Sequence, residues 1–374
     1  MKVIHTHALI DDRTFYKTNL YHMLISLFSA KHVYGNVELY TDKFTYDKIK
    51  DLEFPYDEIH VIEEFNSRYN KNEFSIPKLH TYTLQTEPFI HIDIDTFLLK
   101  DLEIEQHNEV VFAHDDYTLV DFNKMLDPKG RYKSIDYQAL KHLNSAYLGS
   151  LLKLDDVIPK EILDRTRFDF IPNFCVFGGY NSDLIKETSQ HILKIREKNV
   201  GRFKVEESSP QILEQLLFFP TLSYITNDEI KTYWGEHHGC EPFFLRIRKL
   251  TEKYPFIINN PTDNLIQIES HGKVIMEGRD ERKRYPNWVD NGKTVFYNPE
   301  LVNNMLSYPD YGSFIHLGGL KGCDSTNEFI ISYFMKRFKN LKDYDIFIDR
   351  MERIRHGYFP LGYEENAFSK RKII

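Results

Sequence analysis

Two acids one residue apart, Asp93 and Asp95, close the stretch PFIHIDIDTFLL after the apolar run Phe89, Ile90 and Ile92. Carboxylates at a strand end face water or a cation, because burying two of them bare would cost on the order of several kcal/mol. A divalent cation placed between them and a phosphate makes the same pair favourable. Mg²⁺ and Mn²⁺ take oxygen ligands, commonly one or two carboxylates plus substrate phosphates. By itself, Asp-x-Asp is a common spacing and more often marks a solvated turn. Taken singly, His316 reads as a strand-end histidine, Lys78 and Lys321 as solvated charges, and Glu214 and Gln215 as surface positions on a helix. Thr6 and His7, at the end of the first apolar run, could meet a nucleotide base, on position alone. His237 and His238 beside Glu236 are metal-ligand types, but adjacent side chains diverge and a loop pair is the simpler reading.

The elements that must carry these residues follow from periodicity. Val3 to Thr6 is β-type, Phe15 to Ala30 is helical with Leu20, Met23, Leu24, Leu27 and Phe28 on its apolar face, and Val37 to Tyr40 is a second strand. Phe44 to Leu52 reads as a helix, Ile59 to Ile62 as a strand, and Phe74 to Leu84 as a helix with Pro77 in its first turn, where proline is tolerated. The strand ending in the acids comes next. This alternation over the first 100 residues predicts βαβ units and a mostly parallel sheet, with ligands beyond the carboxyl ends of the strands. Val110 to Ala113 is a further strand. Asn173 to Gly179, NFCVFGG, is an apolar strand closed by Gly178 and Gly179, which permit positive φ or close approach of a ligand, or equally a tight turn. Pro210 to Phe219 reads as a short helix carrying Glu214 and Gln215. Phe314 to Gly319 is a late strand, and Phe329 to Phe338 and Tyr344 to Ile354 are terminal helices. Residues 116–170 are mixed and polar, with a helical segment expected near Tyr137 to Leu152. Residues 228–295 read as irregular strands and loops, including Leu265 to Ile268 and Val274 to Met276.

Composition narrows the classes. The chain has 374 residues, 41% hydrophobic and 28% charged, ordinary for a globular protein with a substantial core. Its 28 Phe and 24 Tyr suit a core of large side chains or a cleft that stacks on rings and sugars. The net charge of −8 argues against a general nucleic-acid binder. Cys175, Cys240 and Cys323 are widely spaced with no CxxC, which excludes a zinc-knuckle pattern and fits a reducing cytoplasm. No run approaches the length of a transmembrane helix. The start, MKVIHTHALIDD, lacks a signal-peptide core. The tail FSKRKII could make peripheral contact with an anionic membrane, although a frayed solvated end is the simpler reading. No GxGxxG follows the first strand and no P-loop pattern occurs anywhere, which disfavours the common dinucleotide and NTPase folds.

The combined pattern resembles the GT-A class of nucleotide-sugar glycosyltransferases, and within it the family 8-like enzymes. Four stretches carry the resemblance: the acids Asp93 and Asp95; the approach FSIPKLHTYTLQTEPFIHIDID with its basic residue, Lys78; NFCVFGG followed by Glu214 and Gln215; and His316 in HLGGLKG. The resemblance runs from residue 1 to about 325 and implies a GT-A-like (Rossmann-like) α/β domain. Its sheet is mixed and mostly parallel, flanked by helices. Residues 1–115 would form the nucleotide-binding half and 116–325 an irregular acceptor half, with 326–374 a C-terminal helical extension. It implies Mn²⁺ (or Mg²⁺) on Asp93, Asp95 and His316. Donor contacts would fall to Thr6, His7, Lys78, Asp93, Asn173, Gly178, Gly179 and Lys321, and catalysis to Glu214 or Gln215. The late motif departs from the family, whose members continue Lys-Pro-Trp where this chain has Lys321, Gly322, Cys323.

The expected activity is therefore metal-dependent transfer of a sugar from a nucleotide-sugar donor, UDP-linked by default, to a glycan or glycolipid acceptor in the cytoplasm, with no nucleic-acid partner. The cation and the lysines would neutralise charge developing on the diphosphate leaving group. Two alternatives stand beside it. A non-catalytic nucleotide-sugar-binding protein would keep the same fold. A haloacid-dehalogenase-type phosphatase needs Asp-x-Asp-x-Thr with the first Asp as nucleophile; here Thr96 comes one place early and Phe97 holds the required position.

Overall fold

The computed structural model describes residues 1–10, 16–70, 73, 75–115, 158–165, 172–198, 214–215, 217–227, 233–234, 313–316 and 324–357. In chain order, β1 is Lys2–His7, α1 Lys17–Tyr34, β2 Val37–Thr41, α2 Lys43–Ile49, β3 Glu58–Val61, α3 Glu63–Arg68, α4 Ile76–Thr83, β4 Phe89–Ile92, β5 Thr96–Leu98 and β6 Val110–Asp115. There follow α5 Lys160–Leu163, β7 Pro172–Gly179, α6 Ser182–Lys198, α7 Phe218–Thr226, β8 Tyr233–Trp234, β9 Phe314–His316, α8 Asp324–Phe338 and α9 Tyr344–His356.

Seven of these strands form one sheet in the order β3-β2-β1-β4-β7-β6-β8, and β5 pairs with β9 in a two-stranded ribbon. The β1–β2, β1–β4, β2–β3 and β6–β8 pairs are parallel. β7 runs antiparallel to both β4 and β6. The architecture is thus α/β with a mixed, mostly parallel sheet, as the alternation of short apolar runs and helices predicted.

Strand alternation divides the core into two layers. Val3, Leu39, Ile90, Ile92 and Cys175 face α1, α8 and α9, whereas Ile4, Tyr40, Phe89, Phe174 and Phe177 face α4, α6 and α7. This is the period of two expected where both faces of a sheet are covered. Helix α1 lies between the sheet and α8 and α9, and every residue from His22 to Ala30 is buried. It therefore shows no simple apolar stripe, and it runs one turn past the predicted end at Ala30.

Other boundaries moved for local reasons. Asp42 caps α2 by accepting from Thr45 N at 3.0 Å, and that helix tightens into a 3₁₀ turn at Lys50–Leu52. Of the helix expected at Pro210 to Phe219, Glu214 and Gln215 lie in a helical turn and Phe218 opens α7, while 210–213 and 216 lie outside the described residues. Pro220 sits in the first turn of α7, where no intrahelical N–H is needed. The expected segments Tyr137 to Leu152, Leu265 to Ile268 and Val274 to Met276, the pair His237 and His238, and Lys321 lie outside the described residues. Among the described residues no helix is long and apolar enough to cross a membrane.

Candidate metal and donor site

The acids sit in a turn that three elements clamp. Thr96 N donates to Asp93 O at 2.9 Å, closing a β-turn over 93–96, and Asp93 N donates to Cys175 O of β7 at 2.9 Å. From α1, Ser26 Oγ donates to Thr96 O at 2.6 Å and reaches Asp93 O at 3.2 Å, while Ser29 Oγ accepts from Leu98 N at 2.9 Å. The chain then enters β5, where Thr96 pairs with His316 of β9. That pairing sets His316 beside the turn, with Nε2 3.9 Å from Asp95 Oδ1. Asp93, Asp95 and His316 each present a ligand atom within 4.8 Å of the others.

Two carboxylate oxygens and one imidazole nitrogen suit Mn²⁺ or Mg²⁺. Neighbouring ligands of an ion bound at about 2.1 Å lie about 3 Å apart, so modest side-chain shifts bring this set onto one ion. Asp95 is 4% exposed, far less open than the solvated turn that the spacing alone suggests.

Lys78 stands behind the turn. Strand β4 points Phe89 and His91 towards α4, and Asp93, two residues on, continues that row. On α4, Lys78 and Tyr82 are four residues apart and share a face. Tyr82 packs on Phe89 and His91, and Lys78 Nζ contacts Asp93 Oδ1 and Oδ2 at 2.7 and 2.9 Å. Glu214 Oε1 lies 3.2 Å from the same ammonium, an ion-pair contact without hydrogen-bond alignment. Burial alone would lower the Lys78 pKa, but Asp93 and Glu214 outweigh it and hold the ammonium above its usual range. Glu214, 2% exposed, has its pKa raised to about 7: burial drives it up, Lys78 opposes, and Asp93 adds to the rise. Burial, then Lys78 and His5, push His91 well below its usual value, so it is neutral.

The remaining candidates divide. Thr6 is buried, and two steps before it Ile4 pairs with His91, which puts Thr6 level with Asp93 on the neighbouring strand. The loop after His7 is tied down by buried Asp42, which accepts from Leu9 N at 3.2 Å and Ile10 N at 3.0 Å. Asn173, at the start of β7, is buried and its Oδ1 accepts from Cys175 N at 2.8 Å, so it braces the strand whose carbonyl holds Asp93. Gln215 is half-buried beside Glu214.

Gly178 and Gly179, expected as donor contacts, have a structural reason of their own. They pair with Ile90 and Phe89, at the end of β4 remote from the acids. A Cβ on Gly178 would lie 2.1 Å from Phe89 O, and one on Gly179 2.2 Å from Glu109 O. Neighbouring strand backbone by itself requires glycine at both positions. The supports Ser26, Ser29, His5 and Tyr56 went unread in the sequence. The signal was present for the serines, which lie three apart inside an apolar helix, LISLFSA.

The family model described as "Family of unknown function (DUF6734)" matches residues 7–256. No curated protein matches the chain. Among solved structures, the glycosyltransferase GlyE of Streptococcus pneumoniae TIGR4 aligns with a TM-score of 0.37 at 10% identity, over 97% of this chain and 66% of that one. An active-site mutant of LgtC aligns with a TM-score of 0.37 at 9% identity, over 85% of this chain and 87% of that one. The chain thus spans just under two thirds of the length of GlyE.

Proposed function

The chain belongs to this family of unknown function, and from that premise we propose that it is a metal-dependent glycosyltransferase with a GT-A-like domain. It takes a nucleotide-sugar donor, a UDP-sugar in the first instance, and a glycan or glycolipid acceptor, and it works in the cytoplasm. The observation that carries the reading is the convergence of Asp93, Asp95 and His316 within 4.8 Å, beyond the carboxyl end of β4, with a half-buried charged lysine behind them.

When bound there, Mn²⁺ or Mg²⁺ supplies a positive charge for a diphosphate leaving group. Asp93 and Asp95 would hold it from the turn between β4 and β5, and His316 from β9 of the ribbon. Lys78 is kept protonated and fixed by Asp93 and Glu214, so it presents a preorganised positive charge that needs no reorientation as the donor bond breaks. Glu214, balanced near neutrality, can hold or release a proton at working pH. Gln215 offers an amide next to it. Thr6 lies on the same face of the sheet and suits the nucleotide side of the donor.

The test is calorimetric titration of UDP into the protein with and without Mn²⁺, on wild type and Asp95→Ala. Metal-dependent binding abolished by the substitution supports the reading and justifies assay of UDP-sugars for transfer. Absence of nucleotide binding with any divalent cation overturns it. Binding without turnover of any donor turns it into the binding-protein alternative.

A further inference from the structure

Behind the acid turn runs a buried hydrogen-bonded chain that reaches no ligand atom. Tyr56 Oη lies 2.9 Å from His5 Nδ1, His5 Nε2 lies 3.3 Å from Ser26 Oγ, and Ser26 Oγ lies 2.6 Å from Thr96 O and 3.2 Å from Asp93 O. His5 and Ser26 are wholly buried.

The proton positions follow from the carbonyl end. Two oxygens 2.6 Å apart need a proton between them, and a carbonyl has none to give, so the Ser26 hydroxyl donates to Thr96 O. With its single proton committed, Ser26 Oγ can only accept from His5. His5 therefore carries its proton on Nε2. Its bare Nδ1 must then accept, and the Tyr56 hydroxyl donates to it. Burial, with a smaller contribution from His7, lowers the His5 pKa to about 3, in keeping with a neutral ring. The protons of Tyr56, His5 and Ser26 thus all point the same way, towards Thr96 O.

We infer that Tyr56, His5 and Ser26 form a directional relay whose role is to position the Asp93–Thr96 turn, and with it the carboxylates of Asp93 and Asp95, for the cation. This rests on the metal-site reading above. Ser26 donates its one proton to Thr96 O at the exit of the turn and lies 3.2 Å from Asp93 O at its entry, so its hydroxyl pins the Thr96 end of the turn without contacting either carboxylate. The neighbouring Ser29 differs. It accepts from Leu98 N and donates to Ser26 O, which anchors β5 beyond the turn. Both serines are equally buried in α1, so they form an internal control.

The experiment measures Mn²⁺ affinity by electron paramagnetic resonance in the presence of UDP, alongside thermal melts and ¹⁵N spectra of the histidine rings. Ser26→Ala is expected to weaken Mn²⁺ about tenfold, because the turn loses its donor, and Ser29→Ala to stay within twofold at a comparable loss of Tm. Tyr56→Phe, at the far end, is expected to weaken Mn²⁺ about threefold. In wild type the His5 ring should show a protonated Nε2 and a bare Nδ1, unchanged down to pH 5. A ring protonated on Nδ1 overturns the relay. Wild type that binds Mn²⁺ with Ser26→Ala binding it equally overturns this inference alone. Wild type that takes no Mn²⁺ overturns the metal-site reading and this inference with it. If Ser26→Ala does not fold, Tyr56→Phe decides: unchanged affinity counts against the relay.

Discussion

Two clusters of the same composition lie at opposite ends of one sheet. Asp93, Asp95, His316 and Lys78 gather past the carboxyl end of β4; Glu38, Glu58, His60 and Lys2 gather where β1, β2 and β3 begin. Each group of two carboxylates and one histidine brings its ligand atoms within 4.8 Å. In the second cluster, however, Glu38 Oε2 already accepts from Lys2, Tyr40 and His60 at 3.2, 3.1 and 3.2 Å. His60 turns its two nitrogens towards different glutamates and stacks on Tyr40, and the side chain of Glu58 is 64% exposed. That cluster is a finished charge network on strands near the sheet edge. The first is organised differently: its lysine pairs with Asp93 and Glu214, and His316 Nε2 stands 3.9 Å from Asp95 Oδ1. Residue types therefore identify a site less well than the way its hydrogen bonds are spent.

The sharpest way to break this contrast is substitution at each end. Asp95→Ala is expected to reduce Mn²⁺-dependent UDP binding by at least about a hundredfold (over about 2.7 kcal/mol), whereas Glu58→Ala leaves it unchanged; calorimetry on the two variants reads the difference directly. Next comes Lys78→Met, which leaves half-buried Asp93 and buried Glu214 beside one another without a cation. The expected loss is about 4 kcal/mol, measured by urea unfolding.

Glu214 sharpens the picture through pH. Its folded pKa is raised to about 7, so the folded state holds a proton that the unfolded chain releases near its ordinary value. That contribution, about 3 kcal/mol at most, is complete below pH 4.5 and is lost as pH rises through 7. Lys78, Asp93 and Tyr82 are the charged or titratable groups that act on it. Glu214→Gln should flatten the wild-type decline in Tm across that window, and an unchanged slope would place the proton elsewhere. The smallest effect belongs to the other end: Lys2→Met removes a cation from a Glu38 that keeps Tyr40 and His60 as donors, and should cost about 1 kcal/mol without altering nucleotide binding.

Much of this architecture was legible in the chain. The βα alternation over the first 100 residues showed because short apolar runs and helices differ in period, whereas the acids, His316 and Lys78 read singly as solvated or strand-end residues and were picked out together only by the resemblance. The direction of β7 was hidden, since inward and outward residues alternate identically in parallel and antiparallel strands. Gly178 and Gly179 pointed equally to a ligand and to crowded backbone, and only the positions of Phe89 O and Glu109 O reveal the crowding. His5, Tyr56 and Ser26 were hidden for another reason: a buried polar residue looks like a gap in an apolar pattern until its partner, tens of residues away, is in place.

The β5–β9 ribbon has a consequence for the order in which the protein is made. Asp95 emerges in the first third of the chain, but its partner His316 follows about 220 residues later, roughly 10 to 40 s of synthesis at ordinary translation speed. Throughout that interval the nascent chain carries its acids with no imidazole to complete them. If the three residues hold a cation as proposed, that competence would arrive late, as a signal that chain segments far apart in synthesis have met, and a ribosome stalled short of His316 would display the acids without it.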